Sequence, residues 1–360
     1  MNIQKLELTG AEENYLNQTM NKVSRSFAIV VLSLEEPLNH FMATAYLMCR
    51  VVDNIEDCAQ PFDWKRRRFE EFSRLIEEPA RVTDILAVWG RESWPGLTQD
   101  ESAMMKKATG QTLWKIYGRV PEGSRSIIRR WVAEMADGIL RVEAPDQHPL
   151  LEDQGGIRVL AAESDYNEYC YYVAGTVGHM ATELVVAHYG LQEDVATKLV
   201  ATCEACGRGL QKTNILKDFA EDLGRGISYL PNTWLREADY TPLALAGAPS
   251  KWKKKVIDDI VRELNAATEY VLALPYVATG YRMASLMSLL PAYETLLFAA
   301  NRRDTLFTAG HHVKISRPTM AKCQGAAQSM LTDNDAVRRY SRRLEGEIDA
   351  IMARKAPTAP

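Results

Sequence analysis

Two segments of the chain place carboxylates at a spacing suited to binding divalent cations. In the first segment, four polar residues recur at offsets of 0, 4, 7 and 11: Tyr46, Arg50, Asp53 and Asp57. At about 100° per residue these side chains share one face of a helix. The flanking residues Ala45, Leu47, Met48, Val51 and Val52 are apolar, so we expect the carboxylates to face an interior cleft where they need a counter-charge. The alternatives are a solvated face, or an ion pair of Arg50 with Asp53 or Asp57.

A second segment repeats this arrangement. Its stripe, at offsets of 0, 3, 7 and 11, consists of Gln211, Asn214, Asp218 and Asp222, with Lys217, Glu221 and Arg225 beside it. Two helices with such carboxylates can face each other and hold Mg²⁺, which prefers carboxylates together with phosphate oxygens and water. Guanidinium and ammonium groups match phosphate oxygens, and the nearby ones are Arg25, Arg50, Lys217 and Arg225. The two stripes together predict a diphosphate site and disfavour a solvated face.

Helical periodicity dominates the elements that must position these stripes. Apolar residues recur at helical spacing over 40–57, 101–118, 124–140, 165–189, 194–222, 251–273 and 281–301, whereas alternating strand patterns are scarce. Segments with Gly and Pro break the pattern at 90–100, 144–156, 223–232 and 241–250. We therefore predict an all-α fold in one domain spanning 1–360, with a core of about 11–320 and a C-terminal helix with a short tail in 321–360.

Composition and missing motifs exclude several classes of protein. The net charge of −4 and the lack of basic runs with interleaved aromatics argue against nucleic acid as a partner. The chain has no P-loop, no dinucleotide-binding glycine pattern and no zinc-protease motif. Its six cysteines are scattered, and we interpret Cys203 and Cys206 as core residues. We expect no signal peptide and no transmembrane helix, and hence a cytoplasmic protein, with peripheral contact at the inner face of the membrane as an option.

Four segments resemble the squalene/phytoene synthase family over roughly residues 11–320. They are YLNQTMNKVSRSF (15–27), VVDNIED (51–57), YNEYCYYVAGTVG (166–178) and GLQKTNILKDFAEDLGRGISYLP (209–231). The resemblance implies a single large helical bundle of the class I isoprenoid synthase type with a central cavity. The Q-K-T-N run is more similar to the squalene-forming branch than to the phytoene-forming one. The chain is most similar to the bacterial type without a membrane anchor.

The resemblance also assigns roles to individual residues. It implies that Mg²⁺ or the diphosphates are held by Asp53, Glu56, Asp57, Asn214, Asp218 and Asp222. It implies a substrate site lined by Ser24, Arg25, Phe27, Tyr46, Arg50, Val173, Gln211, Asn214 and Arg225. Tyr169 occupies the family's catalytic tyrosine position, although a core tyrosine in an aromatic cluster is the alternative. The small residues of 173–178 either make room for an isoprenoid chain or pack helices closely.

The implied reaction joins two farnesyl diphosphates head to head into presqualene diphosphate, which NADPH then reduces to squalene, with Mg²⁺ (or Mn²⁺) as the metal. The resemblance implies that the nucleotide is bound by Arg25, Arg50, Lys217, Lys314 and Arg317. Ser316 departs from the basic pattern of eukaryotic members at this place. The apolar segment 283–300 fits a tunnel wall and a helix core equally well. One alternative is a non-reductive sister enzyme that makes presqualene diphosphate, dehydrosqualene or phytoene. Another is a non-catalytic helical assembly protein, against which the two intact acidic motifs argue.

Overall fold

The computed structural model describes residues 6–145 and 149–354, except for the side chains of Arg25 and Ser26. The chain divides into two compact units. The first unit comprises Met1–Ala144 with His179–Ala196, and the second comprises Pro145–Gly178 with Thr197–Pro360.

The first unit is built around one apolar helix. Its helices are α1 (Gly10–Val23), α2 (Arg25–Leu32), α3 (Leu38–Asp57), α4 (Phe62–Glu77), α5 (Val82–Trp89), α6 (Gln99–Met104), α7 (Lys107–Arg119) and α8 (Glu122–Glu143), with a 3₁₀ turn at Pro79–Arg81. Helix α3 packs against α1, α2, α4, α7 and α8. Leu47, Val52 and Ile55 are fully buried in that packing, because apolar residues surround the polar stripe of α3.

The second unit contains the longer helices and a small sheet. Helix α9 (Glu163–Cys170) leads through a π-helical segment (Tyr171–Gly175) into α10 (Thr176–Tyr189). The remaining helices are α11 (Glu193–Gly224), α12 (Asn232–Ala238), α13 (Ser250–Ala273), α14 (Thr279–Asn301), α15 (Arg317–Ser329) and α16 (Asn334–Ala353), with a 3₁₀ segment at Pro242–Gly247. Strand β1 (Leu151–Asp153) pairs antiparallel with β2 (Arg158–Leu160), and β2 pairs parallel with β3 (Ile227–Ser228). Helices α10 and α11 each have residues in both units.

Helix α14 forms the core of the second unit, where it packs against α13, α15 and α16. It is long and apolar enough to cross a membrane by length and composition, but 61% of its apolar window is buried inside the protein. Its Arg282 is fully buried and donates hydrogen bonds to the carbonyl oxygens of Leu331 at 2.6 Å and Leu274 at 3.1 Å. These bonds satisfy a buried cation and join α14 to two neighbouring chain segments, as expected of a core helix.

Three glycines allow close packing where the 171–178 segment meets α11, and two of them lie against backbone atoms. A Cβ atom added to Gly178 would lie 2.3 Å from the carbonyl oxygen of Cys203, and one added to Gly207 would lie 2.1 Å from that of Ala174. A Cβ on Gly175 would lie 2.9 Å from the Tyr171 ring. Close helix packing, one of the two readings of the small residues, therefore accounts for these glycines.

The prediction of an all-α fold is confirmed. Most predicted helical stretches correspond to single helices, but the prediction for 101–118 is wrong in one respect, since α6 ends at Met104 and α7 begins at Lys107. A tight turn separates them and brings Gly110 against the Met104 carbonyl group. The three short strands fall in or beside the segments predicted as breaks. The prediction of a single domain stays a prediction.

Candidate active site

One guanidinium group of α3 lies near a carboxylate of α3 and a carboxylate of α6. Arg50 Nη1 lies 3.7 Å from Asp53 and 3.9 Å from Glu101 of α6. About a quarter of the Asp53 side chain is exposed, and Asp57 is also half-buried. Arg50 and Asp53 therefore form the ion pair that was one alternative for this segment. The same guanidinium group also lies near a second carboxylate, that of Glu101.

Burial, together with the crowding of acidic groups, makes ionisation of the α3 carboxylates unfavourable. Burial, with the nearby charges of Asp57 and Glu101, raises the pKa of Asp53 to about 6, although Arg50 opposes the shift. Burial also raises the pKa of Glu56 well above its usual range, with Asp57 adding to the effect. A bound cation would relieve both penalties, since it favours the charged carboxylates.

The ammonium group of Lys65, which contacts the backbone of Glu56, already has a buried partner. Lys65 of α4 forms a buried ion pair with Glu143 of α8 at 3.0 Å and donates a hydrogen bond to the backbone carbonyl of Glu56. The carboxylates of Asp53, Glu56 and Asp57 thus lie close enough together on α3 to influence one another's ionisation. An all-oxygen donor set of this kind fits Mg²⁺.

Other residues that the resemblance assigned to the substrate lie near the start of the stripe. The rings of Phe27 and Tyr46 are 6.0 Å apart, and Phe27 is partly exposed. Ser24 is buried between α1 and α2. Arg25 begins α2, but its side chain lies outside what the structure describes. The first unit therefore brings Phe27 of α2 close to Tyr46 of α3, the helix that carries Arg50 and Asp53.

The carboxylates of α11 have cations of their own. Lys217 lies 3.2 Å from Asp218 and donates a hydrogen bond of 3.0 Å to the side-chain oxygen of Asn214. Arg225 donates a bond of 2.6 Å to the buried Asp222. Burial raises the pKa of Asp218, while Lys217 lowers it. The second unit thus brings the predicted residues of α11 together, and Gln211 lies half-buried one turn earlier.

Tyr169 lies on α9, immediately before the π-helical segment. Its ring is buried and stacks on Tyr229 with centroids 4.4 Å apart and planes inclined by 11°. Single-turn π segments within α-helices often occur at functional sites. The half-buried Val173 lies inside this segment. The ring therefore packs on an aromatic neighbour that the sequence did not indicate, so Tyr169 has a packing role whether or not it has a catalytic one.

The residues assigned to nucleotide binding in 314–317 are exposed. Lys314 and Arg317 both have solvent-exposed side chains, and Arg317 is the first residue of α15. Ser316, which departs from the family pattern, caps this helix because its hydroxyl accepts a 3.2 Å hydrogen bond from the Thr319 amide. Its departure therefore has a structural role.

Sequence reasoning missed three residues that shape these sites. Glu101 follows Thr98 in a capping box, a signal that marks the start of a helix but not its proximity to Arg50. Lys212 is buried and pairs with Asp259 at 2.8 Å and Glu263 at 3.1 Å. Its spacing of three and four residues from Ile215 and Leu216 was a signal for a buried position, but its partners are 47 and 51 residues away. Tyr229, which stacks on Tyr169, had no signal.

Solved structures place the fold in a known class. TcSQS in complex with a ligand aligns with a TM-score of 0.79 at 22% identity, covering 97% of this chain and 94% of that chain. A dehydrosqualene synthase in complex with a ligand aligns with a TM-score of 0.61 at 19% identity, covering 89% and 96%. The fold is the helical fold of isoprenoid synthases.

Sequence comparison identifies the family. The profile of the squalene/phytoene synthase family matches residues 20–346, and the chain therefore belongs to that family. The squalene synthase of Schizosaccharomyces pombe is 27% identical over 265 residues, covering 73% of this chain and 54% of the relative. That of Candida albicans is 27% identical over 228 residues, covering 63% and 47%. The chain spans about half the length of these curated relatives.

Proposed function

We propose that this protein is a squalene synthase, which condenses two molecules of farnesyl diphosphate head to head into presqualene diphosphate and reduces this intermediate to squalene with NADPH. The observation that carries the proposal is the group of neighbouring carboxylates on α3, in which the pKa values of Asp53 and Glu56 are raised, in a chain that belongs to the squalene/phytoene synthase family. The likeness to squalene synthases, at 25% identity over 84% of this chain for that of Saccharomyces cerevisiae, favours squalene as the product.

The carboxylates of Asp53, Asp57 and Asp218 are proposed to hold the metal-bound diphosphates, together with Glu56, Asn214 and Asp222. Mg²⁺, when bound, neutralises the charge that develops on the departing diphosphate. Lys217 and Arg225 have exposed side chains beside their carboxylates, so they can turn to donate hydrogen bonds to phosphate oxygens. Arg50, already between two carboxylates, orients the α3 group.

The hydroxyl of Tyr169 is proposed to handle the proton that the condensation releases. Loss of the first diphosphate leaves an allylic cation, and attack by the double bond of the second farnesyl group makes a new carbon–carbon bond. Loss of a proton then closes the cyclopropane ring of presqualene diphosphate. A hydroxyl held by ring stacking on Tyr229 is positioned rigidly enough to accept or relay that proton.

The reductive step is proposed from the likeness to squalene synthases, together with the exposed cationic side chains of Lys314 and Arg317. NADPH supplies the hydride when bound. Arg25, Arg50 and Lys217 are further proposed contacts of its phosphates. We also propose a cytoplasmic enzyme that touches the membrane peripherally to release its apolar product.

A non-reductive product is the second candidate. A bifunctional lycopene cyclase/phytoene synthase from Arthroderma gypseum is 36% identical over 96 residues, which cover 26% of this chain. The likeness is local, but its identity is higher than that of the squalene synthases, so phytoene-type chemistry is tested alongside.

The deciding experiment incubates the purified protein with farnesyl diphosphate and Mg²⁺, with and without NADPH, and analyses the lipid and phosphorylated fractions by mass spectrometry. Squalene formed only with NADPH is the expected result. Presqualene diphosphate or dehydrosqualene formed regardless of NADPH would assign the protein to the non-reductive branch. A parallel incubation with geranylgeranyl diphosphate, giving phytoene at a higher rate, would overturn the proposed substrate. A protein inert towards both substrates would favour the assembly role.

A further inference from the structure

A second group of metal-ligand side chains lies in the first unit, separate from the acidic stripe. It consists of Glu13 on α1, Glu36 in the connection between α2 and α3, and His40 in the first turn of α3. One ligand atom from each side chain lies within 4.8 Å of the other two. Asp53 lies thirteen positions after His40 on α3, which is more than three helical turns.

His40 supplies an independent indication that something binds here. Only 8% of the residue is exposed, and neither ring nitrogen has a hydrogen-bond partner among the described residues. A buried imidazole without partners loses its hydration and gains nothing in return, which is rare in native proteins. Since a ring nitrogen lies within 4.8 Å of both carboxylates, a cation between the three side chains would remove the part of this penalty that belongs to that nitrogen.

The donor atoms of the three side chains indicate which kind of cation would bind. One imidazole and two carboxylates suit Zn²⁺ and other first-row transition ions, whereas Mg²⁺ prefers oxygen donors alone. Bonds of about 2.0–2.2 Å at tetrahedral angles place donors about 3.4 Å apart. The present separations of up to 4.8 Å can close by rotation of Glu13 and Glu36, both of which are exposed.

We propose that Glu13, Glu36 and His40 form a structural binding site for a divalent transition-metal ion such as Zn²⁺, with water as a fourth ligand. The ion ties α1 and the α2–α3 connection to α3, the helix that carries Asp53. This site is independent of the proposed reaction, because none of its residues belongs to the acidic motifs.

The test is a titration of tag-free, metal-depleted protein with Co²⁺, followed by visible absorption. Excess Mg²⁺ is present throughout so that it occupies the acidic motifs. One equivalent should bind to the wild type with the spectrum of a nitrogen- and oxygen-ligated ion. His40→Gln and Glu36→Gln should each weaken binding at least tenfold, and the matched surface variant His311→Gln should not. Zn²⁺ should raise the Tm of the wild type but not that of Glu36→Gln.

Unchanged Co²⁺ affinity in Glu36→Gln and His40→Gln would overturn the proposal. Co²⁺ binding that is abolished only by Asp53→Asn would also overturn it, because the ion would then occupy the acidic stripe. If His40→Gln fails to fold, Glu36→Gln decides the matter, since its exposed side chain is not needed for core packing.

Discussion

Helix α3 holds its carboxylates among large buried apolar side chains, whereas α11 holds its own beside exposed cations. Asp53 shares Arg50 with Glu101, and burial raises its pKa to about 6. Asp218 and Asp222 have Lys217 and Arg225 at 3.2 and 2.6 Å. A cation bound at α3 would therefore favour the charged form of Asp53, whereas the α11 carboxylates already have cations that could turn towards a phosphate.

The two helices are also anchored differently. Residues such as Leu47 and Val52 fix α3 by burial. In contrast, the backbone of α11 at Gly207 approaches that of Ala174 so closely that no side chain fits between them. Substitutions on α3 should therefore act through charge and side-chain volume, and those at the α11 contact should act through backbone displacement.

Loss of one carboxylate from each helix tests whether both groups serve one reaction. Asp53→Asn and Asp218→Asn should each lower kcat with farnesyl diphosphate by at least about a hundredfold, because each removes a charged ligand of the metal. The measurement is steady-state product formation at saturating Mg²⁺. Asp63→Asn, whose side chain is 81% exposed, is the control and should retain wild-type activity. A loss of tenfold or less in either variant would contradict the metal–diphosphate assignment.

In the second unit, the hydroxyl of Tyr169 can be tested for a role in turnover that is separate from packing. Tyr169→Phe should lower turnover about a hundredfold with little change in Tm, since the ring stack on Tyr229 is kept and only the hydroxyl is lost. Tyr166→Phe is the matched control, because that buried hydroxyl has no hydrogen-bond partner in the described residues. Activity assays and thermal melts of both variants decide. Parallel loss of Tm and activity in Tyr169→Phe would make it a core tyrosine.

The close approach at α11 predicts a large effect on stability. Gly207→Ala should reduce the free energy of unfolding by about 3 kcal/mol, because its Cβ would lie 2.1 Å from the Ala174 carbonyl oxygen and the backbones must separate. Gly224→Ala at the end of the same helix meets nothing within 4 Å and should be neutral. Denaturant unfolding measures both. Equal stabilities would show that the approach is not required for folding.

The exposed cations of α11 should have the smallest effect. Lys217→Met should raise KM for farnesyl diphosphate about tenfold and leave kcat nearly unchanged, since the lysine would contact the phosphate in the bound and transition states alike. Lys251→Met, which removes an exposed lysine at the start of α13, serves as the control. A fall in kcat with unchanged KM would place Lys217 in the chemical step instead.

The sequence predicted the helices and both stripes because periodicity reports which side chains share a face. The residues of the two stripes could thus be assigned to helices α3 and α11 before any coordinates. Contacts between distant segments leave no such pattern. The pairing of Lys212 with Asp259, the place of Glu101 near Arg50 and the break before α7 all depend on which elements meet. The stripes predicted that their carboxylates need a counter-charge. The structure shows which cations lie near the carboxylates of each helix.

The most direct test of this account is diphosphate release from farnesyl diphosphate by chelator-treated wild-type protein as Mg²⁺ is added back, with Asp53→Asn beside it. We predict no release without the metal, full recovery with it, and a higher half-saturating Mg²⁺ concentration together with a low maximal rate in the variant. Release at the full rate without Mg²⁺, or an identical Mg²⁺ dependence in Asp53→Asn, would contradict the assignment of the α3 carboxylates to a metal–diphosphate site.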